Sequence, residues 1–489
     1  MSKFTLYSVF RNFSLISISQ KPAAIGRVVL PSILLSGLLT PLLVSPAHSA
    51  PAQIIFDTDM NGDCDDAGTL AMLHTLQDLG ECNILAITTS WGGEVIPGAI
   101  DAINTYYGHP DIPVGSCKWW DGKTNAGEFM TYIHKNYPHK VDGTYPSAVA
   151  LLRQTLAAAA DKSVTLCTVG QLDNIMELLK SVPDDYSNLN GVDLVAAKVK
   201  LMSTMGGRFP SGSEANFNWP GQRNAESAHY TYAHWPTSVP IMNSGSEIGE
   251  QIHTGARMCL LLPATHPVRR AYEIYHGFGS NRMSWDQTAA LYAVRGLSDY
   301  WTSQTGGRTT VNPDGSNSWA ALPDANQTYL EASKPPADMA KIIEALMIGK
   351  VPALPPVTIP AKIEAEQYSE MNGVQLEGCS EGTLNVSNID DTDDWTEYSL
   401  IVPESGRYTV DVRVASENTD FSLDLLSSKG VKLATVAVGT TGGWQNWVTK
   451  TSEPFALPKG AQTFRVASTG GKWNLNWFEF KRVGPPESD

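Results

Sequence analysis

Five aspartates lie within one ten-residue segment, Asp57-Thr-Asp-Met-Asn-Gly-Asp-Cys-Asp-Asp66. Carboxylates this close repel one another, so the segment is stable only if a cation neutralises them. Oxygen ligands at this density fit Ca²⁺, which takes six to eight oxygens, better than Zn²⁺. The alternative is an acidic surface turn, but such a turn does not normally separate a buried strand from a buried helix. The segment therefore predicts a calcium site.

The elements around this segment determine where its carboxylates lie. Short apolar runs predict strands, and apolar residues at helical spacing predict helices between them. The predicted strands are Gln53–Phe56, Ile84–Thr88, Val164–Val169 and Lys198–Ser203, and the predicted helices are Ala67–Leu79, Ser147–Ala159 and Leu172–Lys180. This order predicts an α/β fold with a Rossmann-like core, a mostly parallel sheet covered by helices on both faces. Its ligand site belongs beyond the carboxyl ends of the strands.

Five motifs, in order, resemble those of the inosine-uridine preferring nucleoside hydrolases. They are Ile54-Ile-Phe-Asp-Thr-Asp59 with Asp65-Asp-Ala67, Val169-Gly-Gln-Leu-Asp-Asn174, Met205-Gly-Gly207, Ala215-Asn-Phe-Asn218 and Trp285-Asp286. The resemblance covers about residues 53–348, and a catalytic domain over 50–348 is predicted from it. It implies hydrolysis of an N-ribosidic bond, with Ca²⁺ holding the ribose 2′ and 3′ hydroxyls and orienting a water.

The resemblance also implies roles for individual residues. Calcium would be held by Asp59, Asp65, Asp66, Asp286 and the backbone carbonyl of Val169. Asp59 would also be the catalytic general base, because a carboxylate beside a cation-bound water can remove its proton. The implied substrate-binding residues are Asn216, Phe217, Asn218 and Trp285.

Four departures from the family pattern concern the substrate. The loop between Asp59 and Asp65 is two residues longer than in the family. Asn216 stands where the family has Glu, and Gly93 where it has Asn. Trp285 replaces a His that serves some members as the acid for the leaving group. Trp cannot donate that proton, although it can stack on a base. Four histidines remain alternative acids: His229, His234, His253 and His276.

The character of the chain changes near residue 350. Residues 349–361 are rich in proline and predict a stiff linker. Short alternating runs such as Tyr398–Val402 and Tyr408–Val414 then predict an all-β sandwich, a jelly roll, over 362–485. The motifs Ile363-Glu-Ala-Glu366, Asp394-Trp-Thr-Glu-Tyr398 and Trp473-Asn-Leu-Asn-Trp477 resemble a family 6 carbohydrate-binding module.

This second resemblance implies that the C-terminal part binds polysaccharide. Trp444 would stack on a sugar ring and Asn474 would hydrogen-bond it. Glu364, Glu366 and the region of Asn476 would hold a second, structural calcium. Trp395 and Trp477 are expected in the core of the sandwich.

Residues 1–49 read as a secretory signal peptide: four positive charges, an apolar stretch from Val28 to Val44, then Ala47-His-Ser49. A membrane anchor is the alternative, but prolines interrupt the short apolar run. We expect a secreted protein, periplasmic or extracellular, with no membrane contact after cleavage. The six cysteines lack CxxC spacing, which leaves their pairing open.

The net charge of −15 becomes −19 without the positively charged first fifty residues. Such a surface repels phosphate backbones, which argues against nucleic-acid polymers as partners. The leading hypothesis is a calcium-dependent glycosidase acting on a small riboside or nucleoside, joined to a polysaccharide-binding domain. A hydrolase of another sugar glycoside using the same calcium site is the second, and a non-catalytic calcium-dependent carbohydrate-binding protein is the third. The oligomeric state stays open.

Overall fold

The computed structural model describes residues 50–486 except 121–124, 141–142, 221, 323–324, 351–353, 383, 420 and 428. The predicted signal peptide, residues 1–49, lies outside the described residues. Among the described helices, none combines the length and apolar character needed to cross a membrane. All six cysteines are free thiols, and every one except Cys379 is buried.

The first part of the described chain alternates strands with helices. Its strands are β1 (Ala52–Thr58), β2 (Cys82–Thr89), β3 (Val114–Ser116), β4 (Val164–Thr168), β5 (Val199–Met205), β6 (Ser211–Gly212), β7 (Ile241–Ser244), β8 (His253–Thr254), β9 (Arg282–Met283), β10 (Trp301–Val311), β11 (Asn317–Ala321) and β12 (Gln327–Ala332). Apart from the β8–β9 pair, they form one sheet in the order β3-β2-β1-β4-β5-β7-β12-β10-β11-β6. Neighbours from β3 to β12 are parallel, and the remaining pairs are antiparallel.

Helices cover both faces of this sheet. They are α1 (Asp65–Asp78), α2 (Val95–Tyr106), α3 (Glu128–Asn136), α4 (Ala148–Ala158), α5 (Asp173–Lys180), α6 (Gly191–Lys198), α7 (Asn224–His234), α8 (Ser246–Gly249), α9 (Met258–Leu261), α10 (Pro267–His276), α11 (Trp285–Arg295) and α12 (Pro336–Ile348). Alternate residues of β1 serve different cores: Ile54 and Phe56 pack with α1, α2, α11 and α12, whereas Ile55 packs with α4 to α6. The predicted α/β class with a mostly parallel sheet is confirmed.

The strand order places a switch point between β1 and β4. From β1 the chain moves outward through β2 to β3, and β4 starts a second progression through β5 to β7 in the opposite direction. The connections on the two sides of β1 and β4 therefore diverge, which opens a crevice at the carboxyl ends of these strands. The aspartate-rich segment leaves β1 at this point.

An antiparallel extension of the sheet was not predicted from the sequence. Strands β12, β10 and β11 lie side by side in that order, and β12 joins them to β7. β10 is mostly exposed along its first half, with Gln304 and Arg308 among polar and glycine positions. Because this stretch lacks an apolar run or a clear two-residue alternation, its sequence resembles a loop.

The C-terminal part is a sandwich of two antiparallel sheets. Its strands are β13 (Val357–Thr358), β14 (Lys362–Glu364), β15 (Glu370–Asn372), β16 (Gln375–Gly378), β17 (Leu384–Ile389), β18 (Trp395–Val402), β19 (Gly406–Ser416), β20 (Ser422–Ser427), β21 (Lys432–Ala437), β22 (Gly443–Thr451), β23 (Phe455–Leu457), β24 (Gly460–Ser468) and β25 (Trp473–Gly484). One sheet is built around β18-β24-β20 and the other around β17-β25-β19. The predicted all-β sandwich is confirmed. β13 lies inside the segment predicted as a linker and pairs in parallel with β18.

A buried histidine in α1 makes stability depend on pH. His74 is fully buried, stacks on the Tyr107 ring at 4.7 Å and hydrogen-bonds Asn104 Oδ1 at 2.9 Å. Burial, together with the nearby His109, lowers the pKa of His74 from 6.5 to about 3. Between these two values the unfolded chain binds a proton that the folded chain does not, so the folded state loses stability as the pH falls.

We expect His74→Gln to weaken this acid sensitivity. The wild-type free energy of unfolding should fall between pH 7 and pH 5 by about 2 kcal/mol more than that of the variant. Urea unfolding at the two pH values measures the difference, and His234→Gln, at an exposed histidine of α7, is the control. The same pH slope in His74→Gln and wild type would contradict the prediction.

Candidate active site and carbohydrate cleft

A cavity of about 420 Å³ opens at the switch point between β1 and β4. Several predicted site residues line it: Asp59, Asp65, Val169, Asn216, Trp285 and Asp286. The other lining residues are Gly62, Asp63, Trp91, Gln171, Met205, Glu214, Ala215, Trp219, Gln222, Asn224, Ser246, Tyr275 and Arg282. Asp66 lies directly behind Asp65 at the start of α1. The fold thus gathers residues more than two hundred positions apart in the sequence.

Four carboxylates cluster at this cavity: Asp59, Asp65 and Asp286 line it, and Asp66 adjoins Asp65 in sequence. In each, removal from water raises the pKa well above its usual value, and repulsion from neighbouring aspartates raises it further. Two buried carboxylates that repel each other cannot both stay ionised without a positive partner. A bound cation would supply that positive partner and favour the ionised form of all four carboxylates.

Two helix N-termini face this cluster. Asp65 and Asp66 occupy the first turn of α1, and Asp286 occupies the first turn of α11. The Asp286 backbone N–H donates to Asp65 Oδ2 at 3.4 Å, and the Thr58 hydroxyl donates to Asp66 Oδ1. Helix N-termini favour negative charge, so they offset part of the repulsion and fix the orientation of the carboxylates.

The other two aspartates of the acidic segment have different partners. Asp57 points into the protein, where it accepts hydrogen bonds from Thr88 and from Asn174 Nδ2 at 2.7 Å. Burial raises its pKa to about 7. Asp63 pairs with Arg282 Nη2 at 2.5 Å. Asp57 therefore ties β1 to β2 and α5, and Asp63 anchors the loop that is longer than in the resembled family.

The donor set fits a hard divalent cation. Ligand oxygens of Asp65 and Asp66, both predicted ligands, lie within 4.8 Å of each other and of an oxygen of Asp63, which was not predicted as a ligand. The Val169 carbonyl, predicted as a ligand, lines the cavity and accepts Asn216 Nδ2 at 2.8 Å, which leaves its second lone pair available. All of these donors are oxygens, the type that Ca²⁺ and Mg²⁺ prefer.

The predicted substrate residues separate into two groups. Asn216 and Trp285 line the cavity, and the indole N–H of Trp285 donates to Ser246 O at 3.1 Å. Phe217 is fully buried against Tyr232, outside the cavity. Asn218 is exposed and donates to Ser213 Oγ at 3.1 Å, also outside the lining. The local turn alternates their directions, so neighbours in sequence do not share the cavity.

Sequence reasoning missed Glu214. It lines the cavity, and its carboxylate accepts the backbone N–H groups of Asn216 at 2.7 Å and Gly207 at 2.9 Å. Burial nevertheless raises its pKa to about 7. A glutamate directly before the Ala215-Asn-Phe-Asn218 motif was the available signal. Among the described residues that line the cavity there is no histidine, so the four alternative acids lie elsewhere.

Arg282 was also missed. Its guanidinium lies 4.7 Å from the Trp285 ring centroid and 5.4 Å from that of Tyr275. It is the cation among the described lining residues, and it pairs with Asp63. Arg282 lies three positions before Trp285, in the short strand β9. Two residues are too few to show the alternation that predicts a strand.

A second concave site lies at the loop end of the sandwich. This cleft of about 630 Å³ is lined by Gln375, Glu377, Gly378, Ser387, Asn388, Ile389, Asp390, Trp444, Gln445, Lys472, Trp473 and Asn474. Trp444 is partly exposed there, whereas Trp473 is buried. Asn474 Nδ2 donates to Glu377 Oε1 at 2.7 Å and to Trp444 O at 2.9 Å. Both predicted carbohydrate-binding residues therefore share the cleft.

The residues predicted to hold a second metal also lie close together. β14 pairs with β25 so that Glu364 faces Trp477, the neighbour of Asn476. Glu366 and Asn476 are buried. The Glu364 carboxylate pairs with Lys362 at 2.8 Å.

The core positions expected for two tryptophans are wrong. Trp395 and Trp477 are partly exposed, and each is covered by a cation. Arg465 lies 3.6 Å from the Trp395 ring centroid, and Lys362 lies 4.9 Å from that of Trp477. Such stacking shields an indole from water without burying it in the sandwich.

Comparison with known proteins identifies the class of the C-terminal part. Residues 364–482 match the family described as carbohydrate binding module (family 6). The clotting factor G alpha subunit of Tachypleus tridentatus is 34% identical over 131 residues, which are 26% of this chain. The chain spans only 19% of the length of that relative. The C-terminal CBM6 of LamC, a marine laminarinase from Zobellia galactanivorans, is 39% identical over 25% of this chain and 98% of that one, with a TM-score of 0.24.

The α/β part is similar to a solved plant nucleoside hydrolase, PpNRh1. That likeness covers 61% of this chain and 100% of that chain, at 16% identity and a TM-score of 0.45. The family returned for residues 364–482 is the one whose motifs the C-terminal sequence resembles. The protein joins an α/β part to a carbohydrate-binding module.

Proposed function

We propose that this protein is a secreted, calcium-dependent glycosidase that hydrolyses the N-glycosidic bond of a riboside. The observation that carries the proposal is the cluster of Asp59, Asp65, Asp66 and Asp286 at the switch point, open to a cavity of substrate size. Four desolvated like charges are a large cost to stability unless they serve a cation and a reaction. The motif resemblance supplies the reaction type.

Different residues of the cavity lining have different roles in the proposed reaction. Asp59 accepts the proton of the attacking water as positive charge develops at the anomeric carbon. The Trp285 and Trp91 rings offer flat apolar surfaces for the leaving group. When bound, Ca²⁺ supplies a fixed positive charge that orients vicinal sugar hydroxyls and makes the water more acidic. The residues that would hold it are Asp59, Asp65, Asp66, Asp286 and the backbone carbonyl of Val169.

A direct assay tests the proposal. Purified mature chain is incubated with inosine, uridine and p-nitrophenyl riboside, in calcium and in EDTA, and released base or nitrophenol is measured. We expect release in calcium and none in EDTA. No release from any of the three in calcium would refute the riboside assignment.

One observation favours a second candidate, hydrolysis of another sugar glycoside. Two of the implied ribose contacts, Phe217 and Asn218, lie outside the cavity lining, and the Asn216 amide already bonds the Val169 carbonyl. A sugar other than ribose would not need those contacts. Nitrophenyl glycosides of hexoses and pentoses, tested beside the ribosides, separate the two candidates.

For the sandwich we propose that Trp444 is the stacking platform for a polysaccharide. Trp444→Ala should weaken binding to a soluble glucan by about tenfold, because the indole face contributes about 1.4 kcal/mol. Affinity electrophoresis in gels containing β-glucan, xylan or agarose measures this loss. Trp395→Ala, at a partly exposed tryptophan outside the cleft, is the matched control. Equal retardation of the two variants would contradict the assignment.

A further inference from the structure

The sandwich packs directly against the α/β part. Ala256 and Leu260 contribute to the hydrophobic core of the sandwich. The Arg257 guanidinium lies 4.5 Å from the Tyr368 ring centroid, and its Nη2 donates to Tyr368 O at 3.1 Å. Within the α/β part, Glu344 of α12 holds the loop that carries Arg257 by accepting the backbone N–H groups of Gly255 at 2.9 Å and Arg257 at 3.0 Å. This interface therefore combines apolar burial with hydrogen bonds to backbone groups.

One surface segment, residues 277–284, joins this interface to the cavity. Gly279 has φ of +72°, and a Cβ at that position would overlap the side chain of Leu384, which is buried at the start of β17. Asn281 Oδ1 accepts the Ala256 N–H at 2.9 Å, and Asn281 Nδ2 donates to Leu376 O at 3.4 Å. The segment thus meets the sandwich at Leu384 and Leu376, while the Ala256 bond holds Asn281 to the α/β part.

The next residue along the segment enters the cavity. Arg282 follows Asn281 directly and pairs with Asp63 on the aspartate loop. Three residues connect the Leu384 contact at Gly279 to Arg282, a span of about 10 Å at most. Arg282 also covers Trp285, the first residue of α11. Gly279 is therefore joined by one short backbone span to a residue that contacts both Asp63 and Trp285.

We propose that the carbohydrate-binding module also positions the catalytic cavity: its Leu384 and Leu376 hold residues 279–281, and through them Arg282, in place. Leu384, Asn281 and Arg282 are positioning residues, because they act through Asp63 and Trp285. The effect on turnover rests on the proposed glycosidase function. The structural coupling does not, so it can be measured independently.

The test compares two leucines of the sandwich core in the full chain. Leu384→Ala removes the contact with Gly279, whereas Leu423→Ala removes an equally buried leucine of β20 in the same core. Both should lower the melting temperature. Amide hydrogen exchange followed by mass spectrometry should show about tenfold faster exchange of residues 277–287 in Leu384→Ala only. The riboside assay should show a matching loss of activity in that variant alone.

Equal exchange of residues 277–287 in the two variants would overturn the proposal. If Leu384→Ala does not fold, the pair Leu384→Val and Leu423→Val provides the same comparison with a smaller loss of volume. Selective exchange without activity in the wild type would support the coupling while refuting the glycosidase. Riboside hydrolysis by the wild type, together with equal exchange of residues 277–287 in the two variants, would support the glycosidase function and overturn the coupling.

Discussion

Replacing Asp59 by asparagine is expected to lower kcat for riboside hydrolysis by at least about a hundredfold, because a general base contributes roughly 10²–10⁴ to the rate. Asparagine keeps the shape of the side chain but cannot accept a proton at neutral pH. The carboxylate lines the cavity beside Asp65, so the loss would fall on the chemical step. Steady-state kinetics with p-nitrophenyl riboside measures it.

The same substitution should not destabilise the metal-free protein. Burial and repulsion from Asp63 and Asp65 raise the pKa of Asp59, so this carboxyl is a cost to folding in EDTA. Asp59→Asn removes part of that repulsion, and its melting temperature in EDTA should equal or exceed that of the wild type. Asp314→Asn, at an exposed turn between β10 and β11, controls for the substitution itself.

Two outcomes would contradict the assignment of Asp59. Unchanged kcat would exclude it as the base. Unchanged affinity for a sugar ligand, in a protein that has no activity to lose, would favour the third hypothesis, a non-catalytic carbohydrate-binding protein. Ligand affinity measured by calorimetry beside the kinetics distinguishes these cases.

The second large effect is expected from calcium. At a free concentration one hundred times its Kd, Ca²⁺ should stabilise the folded chain by about 2.7 kcal/mol, and EDTA should abolish hydrolysis. The reason is the carboxylate cluster, whose members lose their mutual repulsion when a cation binds. Calorimetric melting in calcium and in EDTA measures the stabilisation, and the riboside assay measures the activity.

Two variants assign the calcium response to a site. Asp286→Asn removes one predicted ligand of the cavity and should remove the activity together with part of the stabilisation. Glu366→Gln addresses the second site predicted in the sandwich and should leave hydrolysis calcium-dependent. A calcium response in Asp286→Asn identical to that of the wild type would contradict the cavity site.

The elements that could be predicted from the sequence are those with a clear local pattern of apolar residues. The apolar run before Asp57 and the helical spacing after Asp66 identify β1 and α1, and parallel strands bring their carboxyl ends to one edge. Asp59 and Asp65 could therefore be placed at this edge before the structure, whereas Asp286 was assigned only through the family resemblance. The extended edge formed by β10 to β12 could not, because its residues are polar and its stability comes from pairing with β7.

Side-chain direction was the less predictable part of the site. Phe217 and Asn218 follow Asn216 directly, yet one turns into the core and the other toward solvent, a difference set by a turn that sequence does not specify. Glu214 enters the cavity because two backbone N–H groups hold it there. Arg282 does so because its pairing with Asp63 joins positions that lie 219 residues apart.

Because the two parts of the chain pack directly against each other, the distance between the carbohydrate cleft and the cavity is fixed. With a flexible linker, the cavity could reach substrate anywhere within the length of the linker from the bound sugar. The effective concentration of the cavity at the substrate would then decrease as the linker lengthens. A docked module instead fixes one spacing along the polymer. A substrate group attached to the polysaccharide at that spacing would stay next to the cavity, whereas groups at other spacings would not reach it. Binding of the module to polysaccharide would not raise the local concentration of a freely diffusing nucleoside.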